Sequence, residues 1–293
     1  MKVFNPIHLL ILLIISILGF GSCDKDVTAP LPTYIYIDSV VLKTNEYYQG
    51  AATHDITDFW VYAGGRFTGV FDKKKLIPIL PDNNDETEIM IFAGIRENGI
   101  KSALNIYYLY KEYRYTLKYQ PGIVDTLTPV FRYVDHAKFV FIEGFETTNI
   151  FNYDIDGDPA TVIQRTNEDV RSGQYSGKVV LTKDHSIFGA TTKLDYFGIP
   201  DKGNLTYLEL DYKGDIPFII GVSGKDENEQ EYKQDIILLK NKDTWQKVYL
   251  NLTQTIQESA LTSYKIYFSA IHNEKADTSL LYLDNVKLLY SDK

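Results

Sequence analysis

Short runs of β-branched and aromatic residues follow one another along the chain from residue 34 to residue 133. Residues of these types favour strands, because their side chains pack well on a pleated surface. The predicted strands cover residues 34–37, 39–42, 58–62, 66–71, 77–80, 88–93, 105–110, 113–119 and 123–133. Turn-forming residues separate them at intervals of roughly 8–12 residues, which is typical of a β-sandwich.

The turns carry their own chemistry. Gly64 and Gly65 lie between two strand-like runs and predict a hairpin, since glycine alone adopts positive φ freely there. A proline- and asparagine-rich break over residues 81–85 and a Gln-Pro-Gly break over residues 120–122 separate later strands. Together the strands and turns predict an immunoglobulin-like β-sandwich over residues 33–136.

Residues 107–119 contain six tyrosines. They suggest a stacking platform for sugar rings, but alternation favours a simpler interpretation. Tyr113, Tyr115 and Tyr119 share one face of a strand, while Arg114 and Lys118 share the other, as in a half-buried strand. We therefore expect these tyrosines to pack in a core or across strands.

The N-terminus carries a different pattern. Residues 7–20 form an apolar run interrupted by His8 and Ser16, and Lys2 precedes it. The run is shorter than the ~20 apolar residues that a transmembrane helix needs and matches a secretory signal. Residues 1–22 are thus predicted to be a cleaved signal peptide.

Cys23, the single cysteine of the chain, follows this run directly after Gly21 and Ser22. The arrangement resembles the bacterial lipobox, in which small residues precede a cysteine that is acylated and becomes the new N-terminus. The resemblance implies a membrane anchor through lipid on Cys23, since acyl chains add affinity of ~0.8 kcal/mol per buried CH₂. Residues 23–32, polar and then proline-containing, would form the tether.

The residues just after the cysteine bear on location. Asp24, Lys25 and Asp26 resemble the acidic export signal of Bacteroidota surface lipoproteins, whereas the enteric pattern of Asp after Cys resembles an inner-membrane retention signal. We expect a lipid-anchored protein of the outer membrane, displayed at the cell surface.

The composition of the chain excludes one class of binding partner. The 293 residues carry a formal net charge of −9, and residues 73–75 form the one basic run. An acidic body of this kind lacks the basic stripe that nucleic-acid binding requires, so nucleic acid is excluded as a partner.

A second domain is predicted over residues 139–293. Four segments of it, Phe145-Glu146 and residues 171–179, 244–252 and 282–288, occur in an order and spacing that resemble carbohydrate-binding modules and galactose-binding-like domains. The resemblance implies a jelly-roll sandwich. The predicted fold class is therefore all-β, with two consecutive sandwiches after the signal peptide.

The same resemblance implies one structural calcium, held by Glu146, a carbonyl of Gly173 and Asp284. Ca²⁺ binds six to eight oxygens and accepts carbonyls beside carboxylates. The alternative is a hydrogen-bonded or solvent-facing pair of acids without metal. Residues 152–158 fit the opening of an EF-hand loop, but Ile163 stands where a bidentate Glu is needed. We therefore interpret them as a polar turn, with a calcium-assisted loop as the alternative.

The alternation of side chains along the predicted strands indicates which aromatic residues could contact a ligand. Where Val248 and Leu250 point to the core, Trp245 and Tyr249 point outward, and Tyr207 and Tyr267 are the corresponding outward aromatics of other strands. Aromatic rings flanked by carboxylates suit glycan binding. Ordinary surface tyrosines are the competing interpretation.

Catalytic motifs are missing from the sequence. The histidines form no His-Glu-x-x-His pair, and residues 221–225 lack the final glycine of a nucleophile elbow. Two hypotheses remain. One is a non-catalytic surface lipoprotein that binds glycan through its C-terminal jelly roll, and the other is a structural or accessory subunit that binds proteins of an outer-membrane complex.

Overall fold

The structure is a computed structural model that describes residues 30–80, 85–200 and 202–292. The predicted signal peptide, Cys23 and most of the predicted tether lie outside the described residues. Within those ranges, none of the helices has the length and apolar character needed to cross a bilayer.

The N-terminal half, residues 30–136, is built from short strands with one helical turn. Its elements are β1 (Thr33–Ile37), β2 (Val41–Leu42), α1 (Glu46–Gln49), β3 (Asp58–Ala63), β4 (Arg66–Asp72), β5 (Leu76–Ile79), β6 (Glu86–Arg96), β7 (Leu104–Ile106), β8 (Tyr113–Lys118), β9 (Val124–Leu127) and β10 (Val130–Phe131). They form a sheet of order β5-β1-β9, a β2–β10 pair, and a five-stranded sheet of order β4-β3-β6-β7 in which β8 also pairs with β6.

Most of the predicted strands of this half are present. The β3–β4 hairpin turns at Gly64 and Gly65, with φ of 54° and 75°, as predicted. In β8 the tyrosines are half-buried and Arg114 and Lys118 are exposed, which confirms the predicted alternation.

Two predicted strands differ. Residues 105–110 form a strand only to Ile106, after which Tyr107 and Tyr110 lie in a buried turn closed by a 3.0 Å backbone hydrogen bond. The predicted strand 123–133 is divided into β9, which pairs in parallel with β1, and β10, which pairs in parallel with β2. The immunoglobulin-like classification of this half stays a prediction.

The C-terminal half, residues 137–292, contains longer strands. Its elements are β11 (Ala137–Glu143), β12 (Tyr153–Asp154), β13 (Gln164–Thr166), β14 (Ser176–Thr182), β15 (Ile187–Thr191), β16 (Tyr196–Phe197), β17 (Thr206–Gly214), β18 (Phe218–Lys225), β19 (Glu231–Leu239), β20 (Lys242–Asn251), α2 (Thr253–Ser259), β21 (Ser263–Ile271) and β22 (Thr278–Ser291).

These strands form two six-stranded sheets with antiparallel pairing. The first has the order β13-β14-β22-β17-β20, with β11 pairing β22, and is called the inner sheet. The second has the order β12-β15-β21-β18-β19, with β16 pairing β21, and is called the outer sheet. A core that includes Phe151, Leu210, Val222 and Phe268 fills the space between them. The predicted all-β sandwich fold is confirmed.

A second core belongs mainly to the N-terminal half, but it does not end there. It includes Tyr207, Tyr249 and Leu289, which lie on the inner sheet with their side chains directed away from the first core. The inner sheet is therefore covered on both faces, by the outer sheet on one side and by the N-terminal half on the other. The predicted domain limits of 33–136 and 139–293 stay a prediction.

Candidate functional site

Two of the four predicted ligand-contacting aromatics lie between the halves. Tyr207 is 3% exposed and Tyr249 is 1% exposed. The Tyr207 hydroxyl donates to Glu97 at 2.6 Å, and the Tyr249 ring lies 4.9 Å from that of Tyr107. Their outward phase was predicted correctly, but the N-terminal half covers that face, so neither ring is available to a ligand from solvent.

The same face carries a network of buried charges. Glu209 accepts from the Tyr107 hydroxyl at 2.6 Å and from the Tyr133 hydroxyl at 2.9 Å. The Lys247 ammonium lies 3.3 Å from Glu209 and 3.7 Å from Asp211. Burial and the neighbouring Glu209 raise the pKa of the Tyr107 and Tyr133 hydroxyls well above the usual value for tyrosine. Both hydroxyls therefore stay protonated and act as donors, which joins the halves through satisfied polar contacts.

Two of the predicted calcium ligands, the carboxylates of Glu146 and Asp284, accept hydrogen bonds from backbone N–H groups of the loop before β14. Glu146 Oε1 accepts from the backbone N–H groups of Gln174 and Tyr175, at 2.9 and 3.2 Å. Asp284 Oδ2 accepts from the N–H groups of Arg171 and Ser172, both at 3.1 Å.

The surroundings of these acids do not fit an ion well. A Cβ added to Gly173 would meet Glu146 Oε1 at 2.1 Å, so the glycine is needed for close approach of the carboxylate to the loop. Burial raises the pKa of Asp284 to about 7. No group of three acidic, histidine or cysteine side chains suited to a metal occurs within the described ranges. Calcium at Glu146, Gly173 and Asp284 stays a prediction that this geometry does not favour.

The acidic loop that resembles the start of an EF-hand is also closed by its own hydrogen bonds. Asp154 Oδ1 accepts from the N–H groups of Asp156 and Gly157, each at 2.9 Å, and Asp158 N–H donates to Asp156 at 2.9 Å. These contacts are those of a polar turn.

Trp245 lies on the inner sheet, apart from the other predicted contacts. Its indole N–H donates to Asp169 at 2.7 Å, and its ring centroid lies 6.4 Å from that of Tyr282. It is half-buried and does not line any of the cavities discussed below.

Tyr267, the fourth predicted aromatic, lies on the outer sheet, whose outer face is not covered by the N-terminal half. Its ring lies flat over Gly221, where an added Cβ would be 2.0 Å from Cζ. Its hydroxyl donates to Asp235, and the Lys233 ammonium lies 4.6 Å from the ring centroid. Burial and the Asp235 hydrogen bond raise the pKa of Tyr267. The residue is neutral and only 1% exposed, so its ring forms the floor beneath the sheet surface and presents almost no area to a ligand.

Around Tyr267 the outer face has an open depression of about 480 Å³. Two further tyrosines line it, Tyr153, which is 54% exposed, and the half-buried Tyr232. Charged groups surround the rings: the Lys265 ammonium lies 5.3 Å from the Tyr153 centroid and 3.8 Å from Asp195. Exposed aromatic rings beside donors and acceptors can hold a ligand that is apolar on its faces and polar at its edges.

Sequence reasoning missed Tyr153 and Tyr232. Tyr153 lies in the segment considered for a metal loop, and its two-residue strand is too short for phase analysis. Tyr232 lies at the start of β19, where the alternation of a mostly polar edge strand is weak. Register explains their convergence, since Tyr153 pairs with Thr191, which in turn pairs with Tyr267.

No protein-family model and no curated protein matches this chain. Among solved structures, the chain is similar to the CBM22-1 xylan-binding domain of Paenibacillus barcinonensis Xyn10C, with 13% identity, coverage of 55% of this chain and 99% of that one, and a TM-score of 0.40.

It is similar also to the C-terminal family 22 carbohydrate-binding module of Clostridium thermocellum Xyn10B, with 14% identity, 53% and 95% coverage, and a TM-score of 0.35. A third similar structure is one of the carbohydrate-binding modules of the β-sandwich superfamily, with 14% identity, 80% and 85% coverage, and a TM-score of 0.32.

Proposed function

We propose that this protein is a non-catalytic, lipid-anchored surface protein that binds glycan in the depression of the outer sheet. The observation that carries the proposal is the convergence of Tyr153 and Tyr232, above the buried ring of Tyr267, with charged side chains on the sheet face that the N-terminal half leaves open. The anchor rests on the sequence alone, through the lipobox resemblance at Cys23.

The chemistry of the depression suits a sugar. The faces of a pyranose ring are partly apolar and stack on tyrosine rings, while its hydroxyls exchange hydrogen bonds with carboxylates and ammonium groups. Asp195, Glu231 and Lys265 line the depression beside the tyrosines. The buried Tyr267, whose hydroxyl donates to Asp235, supports this surface from below.

The test is a glycan panel presented to the full chain carrying Cys23→Ser, which removes the acylation site, in mild detergent because the apolar segment of residues 7–20 is retained. We expect binding of at least one polysaccharide, reduced about tenfold or more by Tyr153→Ala or Tyr232→Ala. Tyr47→Ala is the matched control, because Tyr47 is an exposed tyrosine on α1 outside the depression. No binding by the folded protein across the panel would reject glycan binding as its role.

A second candidate function, protein binding in an envelope complex, is favoured by one observation. The N-terminal half has an aromatic surface formed by Trp60, Tyr62, Phe67, Phe92 and Tyr108, whose neighbouring ring centroids are 5.2 to 6.5 Å apart. Phe67 and Tyr108 are each more than half exposed. Contiguous exposed aromatics of this kind are typical of protein contacts.

The two functions separate experimentally. If the aromatic surface binds an outer-membrane protein, Phe67→Ser with Tyr108→Ser should abolish co-purification of that protein with the lipidated chain, while glycan binding is unchanged. A partner that co-purifies equally with this variant does not use the aromatic surface.

A further inference from the structure

A cleft separate from the tyrosine depression lies between the N-terminal half and the β19–β20 hairpin and encloses about 560 Å³. Five cationic side chains line it, and Asp55 is the one acidic side chain in its lining: the cations are Arg96, Lys101, Lys240, Lys242 and Lys247. In a chain whose net charge is −9 this is an unusual concentration of positive charge. It is called the basic cleft below.

Two of these cations are already paired. Arg96 lies 3.1 Å from Asp58, and Lys247 lies 3.3 Å from Glu209. For Lys101, Lys240 and Lys242, no carboxylate occurs within 4 Å among residues 30–80, 85–200 and 202–292. All three side chains are exposed at the cleft. Three ammonium groups are therefore available to a ligand.

The wall of the cleft is fixed in place. The turn after β6 is attached to β20, since Asn98 N–H donates to the Tyr249 carbonyl at 2.8 Å and Asn98 Oδ1 accepts from Asn251 N–H at 2.9 Å. Gly99 packs closely there, with its added Cβ 3.4 Å from a methyl group of Val248. A cleft that is already formed loses little entropy when a ligand enters.

The electrostatics favour an anion. Apolar residues, among them Ile100, Ile237 and Val248, line the same cleft. Walls of low dielectric constant focus the field of the lysines, which raises the local concentration of anions.

The polar groups between the lysines narrow the class of anion. Gln246 Nε2 donates to Asp55 Oδ2 at 3.0 Å, which holds the Asp55 carboxylate in the lining. This carboxylate disfavours a ligand that presents acids alone but accepts hydrogen bonds from hydroxyl groups. A sugar acid carries carboxylates for the lysines and several hydroxyls for Asp55, whereas an oligoglutamate carries carboxylates and has only its backbone N–H groups as donors.

We infer that the basic cleft is a second binding site, and that its ligand is a carboxylate-bearing oligosaccharide. The site uses none of the three tyrosines of the depression, so it does not depend on the proposed function.

The experiment measures calorimetric binding of trigalacturonate to the full chain carrying Cys23→Ser, at about 20 mM salt, where charge interactions are weakly screened. We expect binding that weakens as salt is raised and that falls about tenfold or more when the probe is the methyl ester, whose carboxylates are neutralised. The variant Lys101→Gln, Lys240→Gln, Lys242→Gln should lose about tenfold or more in affinity.

The matched control carries Lys118→Gln, Lys183→Gln and Lys275→Gln, three exposed lysines outside the cleft, and so has the same net charge. It should bind as the parent does. Equal weakening in both triple variants, or no binding of trigalacturonate by the folded parent, overturns the inference.

Two further outcomes test the chemical class of the ligand and the location of its binding site. Triglutamate that binds as tightly as trigalacturonate overturns the assignment to a sugar acid. Tyr153→Ala should leave trigalacturonate binding unchanged; if it removes binding, the ligand occupies the depression and the second site does not exist. If the protein binds trigalacturonate but binds no glycan in a manner that depends on Tyr153, the second site is supported and the proposed function is rejected.

Discussion

At the scale of single residues, Tyr267 shows how a glycine can make room for a buried ring beneath a binding surface. Its ring occupies the space that a side chain at position 221 would fill, and this keeps the ring flat against the outer sheet. The Asp235 hydrogen bond and the Lys233 ammonium then hold it from the other sides. The geometry of the depression therefore depends on a residue with no side chain.

Gly221→Ala should displace the Tyr267 ring and weaken glycan binding about tenfold, because a Cβ at 2.0 Å from Cζ cannot be accommodated without movement. The measurement is affinity for the glycan found with the parent protein. Gly144→Ala is the control, since its added Cβ meets nothing nearer than 4.0 Å. If Gly221→Ala binds as tightly as the parent, the ring does not contribute to the site.

Lys287 makes a second residue-scale prediction. It is fully buried, its ammonium donates to the Ala51 carbonyl at 2.8 Å, and burial lowers its pKa to about 7 from the model-compound value of 10.5. Between these pH values the unfolded chain holds a proton that the folded protein has released. The free energy of unfolding should therefore rise with pH across this window, by about 1.4 kcal/mol per pH unit at most.

The check is urea unfolding between about pH 7 and pH 9 for the parent and Lys287→Met, with the pH range kept below tyrosine ionisation. The variant lacks the titrating group, so its free energy of unfolding should rise less steeply. Parallel pH profiles in the two proteins would contradict the lowered pKa.

At the scale of elements, strand phase and strand exposure are separate properties. Alternation along β17 and β20 correctly places Tyr207 and Tyr249 on the face opposite to Leu208 and Leu250. It does not tell whether that face contacts solvent, since this depends on a segment more than 90 residues earlier. Tyr107 provides the contact, from a buried turn at a position where a strand was predicted.

Tyr249→Ala should consequently act on stability and not directly on glycan binding in the depression, which Tyr249 does not line. We expect a loss of ~3–5 kcal/mol in the free energy of unfolding, as for other buried aromatic residues truncated in a core. Tyr153→Ala, at an exposed tyrosine, should cost less than ~1 kcal/mol. Denaturant unfolding of both variants gives the comparison, and similar small losses would show that the contact between the halves contributes little.

At the scale of the whole molecule, the two halves share a core and a network of buried charges. Glu209 on β17 accepts from Tyr107 and Tyr133 of the N-terminal half, and Leu289 of β22 belongs to the same core as they do. Separating the halves would expose this apolar core to water and would remove from Glu209 the two tyrosine hydroxyls that donate to it, leaving only its ion pair with Lys247 on the same sheet, which is costly.

The halves should therefore unfold together. Calorimetry should record one transition whose calorimetric and van't Hoff enthalpies agree. Glu209→Ala should lower stability by ~3–5 kcal/mol, because it leaves the buried Lys247 ammonium with a weaker set of partners. Two well-separated transitions in the parent protein would contradict the coupling.

The amino-acid sequence by itself determined the local features of this protein. Gly64 and Gly65 specify the β3–β4 hairpin through their backbone freedom, and the alternation of β8 specifies which side chains face the core, because both depend on neighbours within a few residues. The prediction of a signal peptide and of a lipidated Cys23 likewise rests on local pattern alone, and it lies outside the described residues.

Only the tertiary structure decided which surfaces remain available. The burial of Tyr207 and Tyr249, the convergence of Tyr153 with Tyr267, and the basic cleft all arise from contacts between segments distant in sequence. Such contacts are set by sheet register and by the packing of one half on the other, and periodicity along one strand contains no information about either.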